Sequence, residues 1–391
     1  MTGEARRKEI RGIHRKHKFF YEMLGGGIVL VVSILIGATQ FGGENQDYPM
    51  NLFTEGMGIV ATVFIINRWY AKRELESLKQ RLIREAGSRS HDIAISAVEW
   101  LDREGWLRGE DGLLKGADLR EARLQGVRME GANLEGVNLD AADLRGANLR
   151  GAILHNANLF RADLRCWTKL READLSGAKL SLANLERADL QKANLNRANL
   201  SRANLRGADL VNATLKDAMM LETNLETSNL YEADLEGANL MHANLKTPSS
   251  LKNATLKGAN LSFVDLEGAD LCEMDLSGAT LQCVDLRNAK LFDTNLQSAD
   301  LRGAYLEGAS LLLEERRYEC YTKRSTDCDW TREEIVWTGT ILTGATLPDG
   351  KAFTEYMGNE DIAPYIDSNH EEFGATLKKI DEHPARKRSR N

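Results

Sequence analysis

The residues of this chain that could do chemistry lack the spacing of a known catalytic or metal-binding motif. Seven histidines are present, and none of them forms an HExxH pair. The sequence also contains no GxSxG nucleophile motif, no P-loop and no GxGxxG turn before a helix. The five cysteines form no CxxC pair, and their odd number and irregular spacing indicate neither a disulfide framework nor a zinc site: Cys166, Cys272, Cys283, Cys320 and Cys328. The sequence therefore predicts a protein without catalytic residues, cofactor or metal, in a reduced, cytosolic setting.

Carboxylates are abundant, but in the middle of the chain they stand beside a leucine that returns every fifth residue, as in Ala117-Asp118-Leu119. From Leu114 to Leu311 the central residue recurs in 40 units, and only Met129 and Met220 replace leucine. Steps of six residues interrupt the count twice, at 165–169 and at 246–250. Since any polar residue serves at the position beside the leucine, these carboxylates do not indicate acid–base catalysis, which would also need a pocket.

The five-residue period excludes a long helix, because a step of five turns a helix by roughly 140° and spreads the leucines around its whole surface. In an extended segment, residues i and i−2 share a face, so Leu119 and Ala117 point inward while Asp118 points to solvent. One large and one small buried side chain cannot form a core alone. The units must therefore stack on one another as a solenoid.

The recurring Ala-Asp/Asn-Leu-x-Gly unit resembles the pentapeptide repeat family over about half of the chain. The resemblance implies an all-β solenoid, a right-handed quadrilateral β-helix with four units per coil. The residues before it predict two transmembrane helices and a helical stalk and cap. The 40 units then make about ten coils, which rise roughly 48 Å at ~4.8 Å per coil. The predicted interior includes these central residues: Leu119, Leu134, Leu144, Leu175, Leu190, Leu205, Leu235, Leu256, Leu271, Leu286 and Leu301.

The N-terminal 70 residues carry the pattern of a membrane hairpin. Residues 1–18 are basic, and the apolar run 19–41 is long enough to span a bilayer, although a signal peptide is the competing interpretation. Residues 42–51 form an acidic loop, and residues 52–70 form a weaker apolar run that is read either as a second span or as an interfacial or buried helix. Positive residues flank the hairpin on both outer sides. The pattern predicts a multi-pass protein of the inner or plasma membrane with both termini in the cytoplasm.

Residues 71–112 are predicted to form a stalk and a cap for the solenoid. The stretch 71–87 has a leucine stripe flanked by opposite charges, including Glu76 and Lys79. A second helix over roughly 91–103 presents Ile93, Ala97 and Leu101 on one side. Because a solenoid exposes its end coil, this helix is expected to cover the core, with Trp100 and Trp106 packed in the cap.

After the repeats of 113–311 the pattern breaks. Residues 312–339 are a charged insertion, the period returns in 340–348, and 349–391 form a tail with a basic end that could contact anionic lipid. Within the solenoid each six-residue step predicts a bulge or corner loop. Exposed aromatic residues at a bulge, on the coils and in the insertion are the predicted partner contacts: Trp167, Tyr231, Phe292, Tyr305 and Trp330.

The predicted function is that of a membrane-anchored, non-catalytic scaffold that binds a protein on the cytoplasmic face of the membrane. The alternative, which relatives suggest, is a DNA-mimicking regulator of a topoisomerase or another DNA-binding enzyme, without direct binding of nucleic acid. Residues 113–216 contain 17 Lys/Arg and 12 Asp/Glu, whereas 217–311 contain 6 and 15. In a coil of four units, residues 20 or 21 apart should stack, which brings Glu130 to Arg150 and Glu236 to Lys257. Lysines that interrupt the acidic faces favour the scaffold over the mimic.

Overall fold

The structure is a computed structural model of the 391-residue chain, and it describes residues 47–245 and 251–310. The chain divides into two compact units, 1–81 and 82–391. Several predicted segments lie wholly or largely outside the described residues. They are the basic terminus 1–18, the apolar run 19–41, most of the loop 42–51, the second six-residue step, the insertion with Trp330, the repeats 340–348 and the tail.

Helix α1, Asp47–Ala86, is 40 residues long and contains both the predicted second apolar segment and the predicted stalk. It begins inside the segment that was expected to be a loop. On its surface, Lys79 donates to Glu76 over 3.2 Å, and the guanidinium of Arg73 lies 5.2 Å from the ring of Trp69. Within the part of the chain that the structure describes, no helix is both long and apolar enough to cross a membrane. The prediction of a membrane span at 52–70 is therefore not supported.

Helix α2, His91–Arg103, has the predicted bounds and buries Ala94, Ala97, Val98 and Leu101. The chain on either side of it contacts the first coil of the solenoid. The backbone N–H of Arg123 donates to Ser88 O over 3.1 Å, and that of Asn133 donates to Leu107 O over 2.7 Å. These bonds satisfy amides that an uncovered end coil would leave to water. Trp100 and Trp106 lie half-buried in this segment.

From Leu114 onward the chain winds as a solenoid in which one residue of each unit pairs with the equivalent unit of the next coil in parallel register. The pairs join residues 20 apart, such as Asp118 with Asn138, or 21 apart across a six-residue step, such as Asn158 with Lys179. This confirms the four-unit coil and the stacking interval. The central residues fill the interior, and the eleven central leucines predicted to form it are at most 1% exposed.

Each unit ends in a tight turn whose second central residue has a left-handed conformation. In the first coil, the N–H of Ala122 donates to Leu119 O over 3.2 Å, and Glu121 between them has φ 57°. Glycine adopts positive φ without strain, and many units place it there, but others place bulky residues such as Leu182 at φ 60°. The side chain at this position points outward, so the turn repeats without regard to its size or charge.

The first six-residue step forms the predicted bulge. Cys166 and Trp167 both have φ 63°, so the extra residue is absorbed in the turn. Thr168 takes the buried place that alanine holds in other units, and its hydroxyl accepts from the N–H of Gly146 over 3.1 Å. The ladder therefore continues past the bulge without losing register.

Candidate protein-interaction surface

The solenoid presents four faces, each defined by one column of pairing residues. Face 1 is the column that starts at Asp118, face 2 starts at Arg123, face 3 at Arg128 and face 4 at Asn133. Coils are counted along face 1 from Leu119, so that coil 3 contains Leu159 and coil 8 contains Leu261. On each face, three positions of a unit lie on the outside of the coil: the pairing residue, the first turn residue and the left-handed turn residue. Most of them reach solvent, but Asn133 and Ser262 are buried.

Face 1 carries a stripe of apolar side chains along the rod, in coils 3 to 8. Leu182, Met219 and Phe263 are 43%, 51% and 50% exposed, and Phe160, Leu221 and Met241 are half-buried. No other described face of the solenoid has more than one large exposed apolar residue. The remaining residues of this kind in the described solenoid are divided among faces 2, 3 and 4 and the bulge: Ile153, Trp167, Tyr231 and Tyr305. We call the six face 1 residues the apolar stripe.

Aromatic contacts order both ends of the apolar stripe. The rings of His242 and Phe263 stack with centroids 4.7 Å apart and 15° between their planes. At the other end, the guanidinium of Arg161 lies 4.9 Å from the ring centroid of Phe160. Stacked neighbours restrict each other's rotamers, so part of the entropy cost of binding a partner is already met.

The middle of the apolar stripe contains one ion pair. Arg202 in coil 5 donates to both carboxylate oxygens of Glu222 in coil 6, over 2.8 and 3.1 Å. The bonds lower the pKa of Glu222 below its usual value. The side chains of Arg202 and Glu222 remain 62% and 43% exposed, and exposed pairs contribute little to the stability of a fold. The pair is therefore accessible to a binding partner.

On face 2 the surface is a ladder of amides. The side-chain amide of Asn204 donates to Oδ1 of Asn184 over 3.2 Å, Asn224 donates to Asn204 over 3.2 Å, and Asn244 donates to Asn224 over 3.1 Å. Each Oδ1 of the middle residues also accepts from a backbone N–H two positions on, as Asn204 does from Arg206 over 3.2 Å. The ladder fixes the turns of successive coils relative to one another.

Three carboxylates come close together near the far end of face 2. Oxygens of Asp265, Glu267 and Asp285 lie within 4.8 Å of one another, and no second group of metal-ligating side chains this tight occurs in 47–245 or 251–310. Arg287 lies among them, 3.7 Å from Glu267 and 2.5 Å from Asp285. Because the guanidinium compensates part of their charge, the cluster is an ion-pair network at the surface.

The cysteine thiols do not point to chemistry either. Burial, followed by a hydrogen bond to Asp270, raises the pKa of Cys272 to about 11. A thiol with so high a pKa is almost entirely protonated at neutral pH, and the protonated form is not the nucleophile.

The predicted partner contacts do not form one site. Tyr231 and Phe292 both lie on face 3, three coils apart, and Tyr305 lies in the last described coil of face 2, 56% exposed. Trp167, at 69% exposure, stands at the bulge between faces 2 and 3.

Sequence reasoning missed the apolar stripe. Reading the turn residues at intervals of 20 or 21 along face 1 would have found it, because Leu221 and Met241 then fall in one column with Phe160.

The charged residues stack at the predicted interval, but their partners differ from those expected. Glu130 accepts from the amide of Asn148 over 2.5 Å, and Arg150 pairs with Glu172 at 3.4 Å, so the expected pair of Glu130 with Arg150 is not formed. Glu236 pairs with Lys216 of the preceding coil at 2.7 Å in place of Lys257. A side chain can reach either coil, and the backbone register alone does not choose between them.

Comparison with known proteins identifies the repeat. The sequence profile of the family described as Pentapeptide repeats matches eight copies, within residues 113–165, 168–246 and 249–308. No curated protein sequence matches the chain.

Several solved structures are similar to this chain. HetL, a pentapeptide repeat protein involved in heterocyst differentiation regulation from Nostoc sp. strain PCC 7120, is 29% identical, with 66% of this chain and 99% of HetL covered and a TM-score of 0.35. A pentapeptide repeat protein of the Arabidopsis thaliana thylakoid lumen is 32% identical over 33% of this chain and 73% of its own, with a TM-score of 0.15. QnrB1, a plasmid-mediated fluoroquinolone resistance protein, is 14% identical over 46% and 74%, with a TM-score of 0.27.

The profile match covers the whole described solenoid, and the four columns of parallel pairs are those of the right-handed β-helix that this repeat builds. Through residues 113–308, the chain belongs to the pentapeptide repeat family.

Proposed function

We propose that this protein is a non-catalytic scaffold that binds another protein chain through the apolar stripe of face 1 and acts at the cytoplasmic side of a membrane. One observation carries the proposal: Leu182, Met219 and Phe263 are about half exposed on a single face, although the interior of the solenoid is already filled by leucine and alanine.

The exposed side chains of the stripe lie outside the core of the solenoid. Leu182 and Phe263 occupy left-handed turn positions, with φ 60° and 62°, where glycine or asparagine is favoured and other residues are strained by roughly 1–2 kcal/mol. Their side chains point outward, so they gain little burial in return. A concentration of exposed apolar residues on one face favours a protein-interaction surface. The two methionines add adaptable contact area, which suits a surface that binds a partner.

The membrane part of the proposal rests on the sequence of the first 70 residues. The apolar run 19–41 has the length of a bilayer span, and basic residues precede it and follow residue 67. We propose that this segment holds the chain at the inner or plasma membrane, with the solenoid in the cytoplasm. The solenoid would then act by position, presenting a rigid surface to a neighbouring protein.

The experiment is crosslinking in intact cells followed by mass spectrometry. The full chain is compared with a variant in which Leu182→Ser, Met219→Ser and Phe263→Ser remove the exposed apolar residues of face 1. We expect the main crosslinked protein to be lost. The matched control is Ile153→Ser, which removes a 39% exposed apolar residue from face 4 and should leave the crosslink unchanged. Equal crosslinking by the triple variant and the wild type would refute face 1 as the binding surface.

Removal of residues 1–70 tests the anchor separately. The truncated chain should move from the membrane fraction to the soluble fraction and lose partners that are themselves membrane proteins. If it stays with the membrane, the proposed anchor is wrong, whereas the face 1 result is unaffected.

The second candidate is a DNA mimic that regulates a topoisomerase or another DNA-binding enzyme. The excess of Asp and Glu in 217–311 favours it. Against it, cations interrupt the acidic coils, as Arg287 does between Glu267 and Asp285. A mimic should capture a DNA-handling enzyme in a strongly salt-sensitive way, and its binding should depend on these acids. Binding that survives the loss of the distal acids, but not of the apolar stripe, would exclude this candidate.

A further inference from the structure

The solvent-facing columns of face 1 have a symmetry that a surface for an unrelated partner would not need. The left-handed turn residues of coils 3 to 8 are, in order, Arg161, Leu182, Arg202, Glu222, His242 and Phe263. When this column is placed against itself in reverse order, the cation of coil 5 faces the anion of coil 6, and the anion faces the cation. On both sides of this centre, Leu182 faces His242, and Arg161 faces the aromatic ring of Phe263.

The adjacent column shows the same property in its side-chain sizes. The first turn residues of coils 3 to 8 are Phe160, Ser181, Ser201, Leu221, Met241 and Ser262. In reverse order every large apolar residue faces a serine: Phe160 faces Ser262, Met241 faces Ser181, and Leu221 faces Ser201. Large residues opposite small ones can interdigitate, as tightly packed interfaces require.

We propose that face 1 binds face 1 of a second copy of this chain, with the two rods antiparallel and a two-fold axis between coils 5 and 6. The proposal rests on the proposed function, since it names the occupant of the same surface. A two-fold axis that runs along the strand direction sets each column of the face opposite itself and reverses the order of the coils. Such an axis requires that each column be complementary to itself in reverse order, and the columns of first turn residues and left-handed turn residues both have this property.

The charges oppose a parallel arrangement in which the column of left-handed turn residues lies against itself. With the rods parallel, coil 5 would meet coil 5 and coil 6 would meet coil 6, so Arg202 would approach Arg202 and Glu222 would approach Glu222. Like charges brought together in an interface oppose binding. In the antiparallel arrangement the same residues form two additional ion pairs between the chains.

The column of pairing residues is also compatible with the antiparallel arrangement. There, Asn158 faces Asn260, Lys179 faces Asn239, and Met219 faces Asn199. No two like charges meet in coils 3 to 8. Lys179 faces the amide of Asn239, and Arg161 faces the ring of Phe263.

The charges allow a test by mixing two variants of the full chain, purified in detergent. Arg202→Glu gives a chain with two anions at the centre of face 1, and Glu222→Arg gives one with two cations. Each variant alone should bind itself at least about tenfold more weakly than the wild type, since like charges then meet twice. The mixture should form a heterodimer at near wild-type affinity, measured by sedimentation velocity with one variant fluorescently labelled.

The mixing test separates binding from folding. A variant that merely unfolds would not be rescued by its counterpart, so rescue in the mixture requires contact between the two altered faces. A wild-type chain that sediments as a monomer at 100-fold above cellular concentration, or a mixture that stays monomeric while the wild type dimerises, would overturn the proposal.

Disulfide crosslinking tests the arrangement of the rods. Ser181→Cys and Met241→Cys, at half-buried positions, lie three coils apart in one chain, about 14 Å at ~4.8 Å per coil, so they cannot join within a chain. In the antiparallel dimer each faces the other in the partner. We expect a covalent dimer on mild oxidation of the double variant, and none with either single variant or the wild type. A dimer formed by Met241→Cys alone would indicate parallel rods and would overturn the arrangement.

The outcomes also distinguish this inference from the proposed function. If the charge-swapped variants do not bind each other but the triple serine variant still loses its crosslinked protein in cells, face 1 binds a different protein. The second copy is then wrong and the scaffold stands. If neither effect appears, both are wrong.

Discussion

The asparagine ladder of face 2 gives the sharpest test of how the surface stabilises the coils. Asn204 takes part in three hydrogen bonds: it donates to Asn184, and it accepts from Asn224 and from the backbone N–H of Arg206. Asn204→Ala removes all three. A hydrogen bond contributes about 0.5–1.5 kcal/mol net, and in a half-buried site water replaces part of it. We therefore expect the free energy of unfolding to fall by about 2–3 kcal/mol.

The control is Asn199→Ala at the equivalent position of face 1. Asn199 accepts from the N–H of Ser201 over 3.1 Å, but its neighbours in the column are Lys179 and Met219, which cannot continue an amide ladder. Its substitution should cost about 1 kcal/mol, corresponding to the single turn bond. Urea unfolding of the full chain, followed by circular dichroism, measures both. Equal losses for the two variants would show that the ladder adds nothing beyond the local turns.

Three further predictions follow from the core, the turns and the ion pairs. Leu205→Ala should lower the free energy of unfolding by about 2–5 kcal/mol, because Leu205 is fully buried. Leu205→Met should lower it by less than about 1.5 kcal/mol, since Met220 shows that methionine fits a central position. Equal losses for the two variants in urea unfolding would contradict the close packing of the core. Leu182→Gly should leave the melting temperature unchanged or raise it, because glycine relieves the backbone strain at φ 60°. Leu182→Val should lower the melting temperature, because a β-branched side chain increases that strain. The opposite order of melting temperatures would refute the turn assignment. The hydrogen bonds from Arg302 lower the pKa of Asp300 to about 2, so the stability that they add is present above pH 4 and is lost as the pH falls towards 2. In Arg302→Gln, NMR titration should show the pKa of Asp300 returning towards 3.8. An unchanged pKa would contradict the pairing.

Much of the solenoid could be predicted from the sequence, because its period is a local property. A leucine at every fifth position, with alanine two residues before it, can be buried only by a chain that bends after every third extended residue. The four-unit coil came from the family resemblance, and the stacking interval of 20 or 21 residues followed from it. The cap was also readable, since α2 shows a helical spacing of apolar residues just before the first coil.

The interaction surface was not readable in the same way. Trp167, Tyr231 and Tyr305 were chosen for their aromatic side chains, but the fold distributes them over different faces and coils. Leu182 and Phe263 are 81 positions apart in the sequence and were passed over, although they lie in one column of face 1, four coils apart. Sequence distance carries no information about such neighbours unless the coil length is applied to every exposed position.

The sequence by itself determined the architecture of the solenoid. Nearly every unit buries its central leucine and the small residue two positions before it, and exposes the polar residue between them. Forty units with this pattern can bury their apolar side chains together only by stacking as coils. Only the tertiary structure decided which surface residues meet. The register sets Arg202 beside Glu222, but side-chain reach sets Glu236 against Lys216 and not Lys257. These pairings depend on distances of a few ångströms between coils, and the five-residue pattern is silent about them.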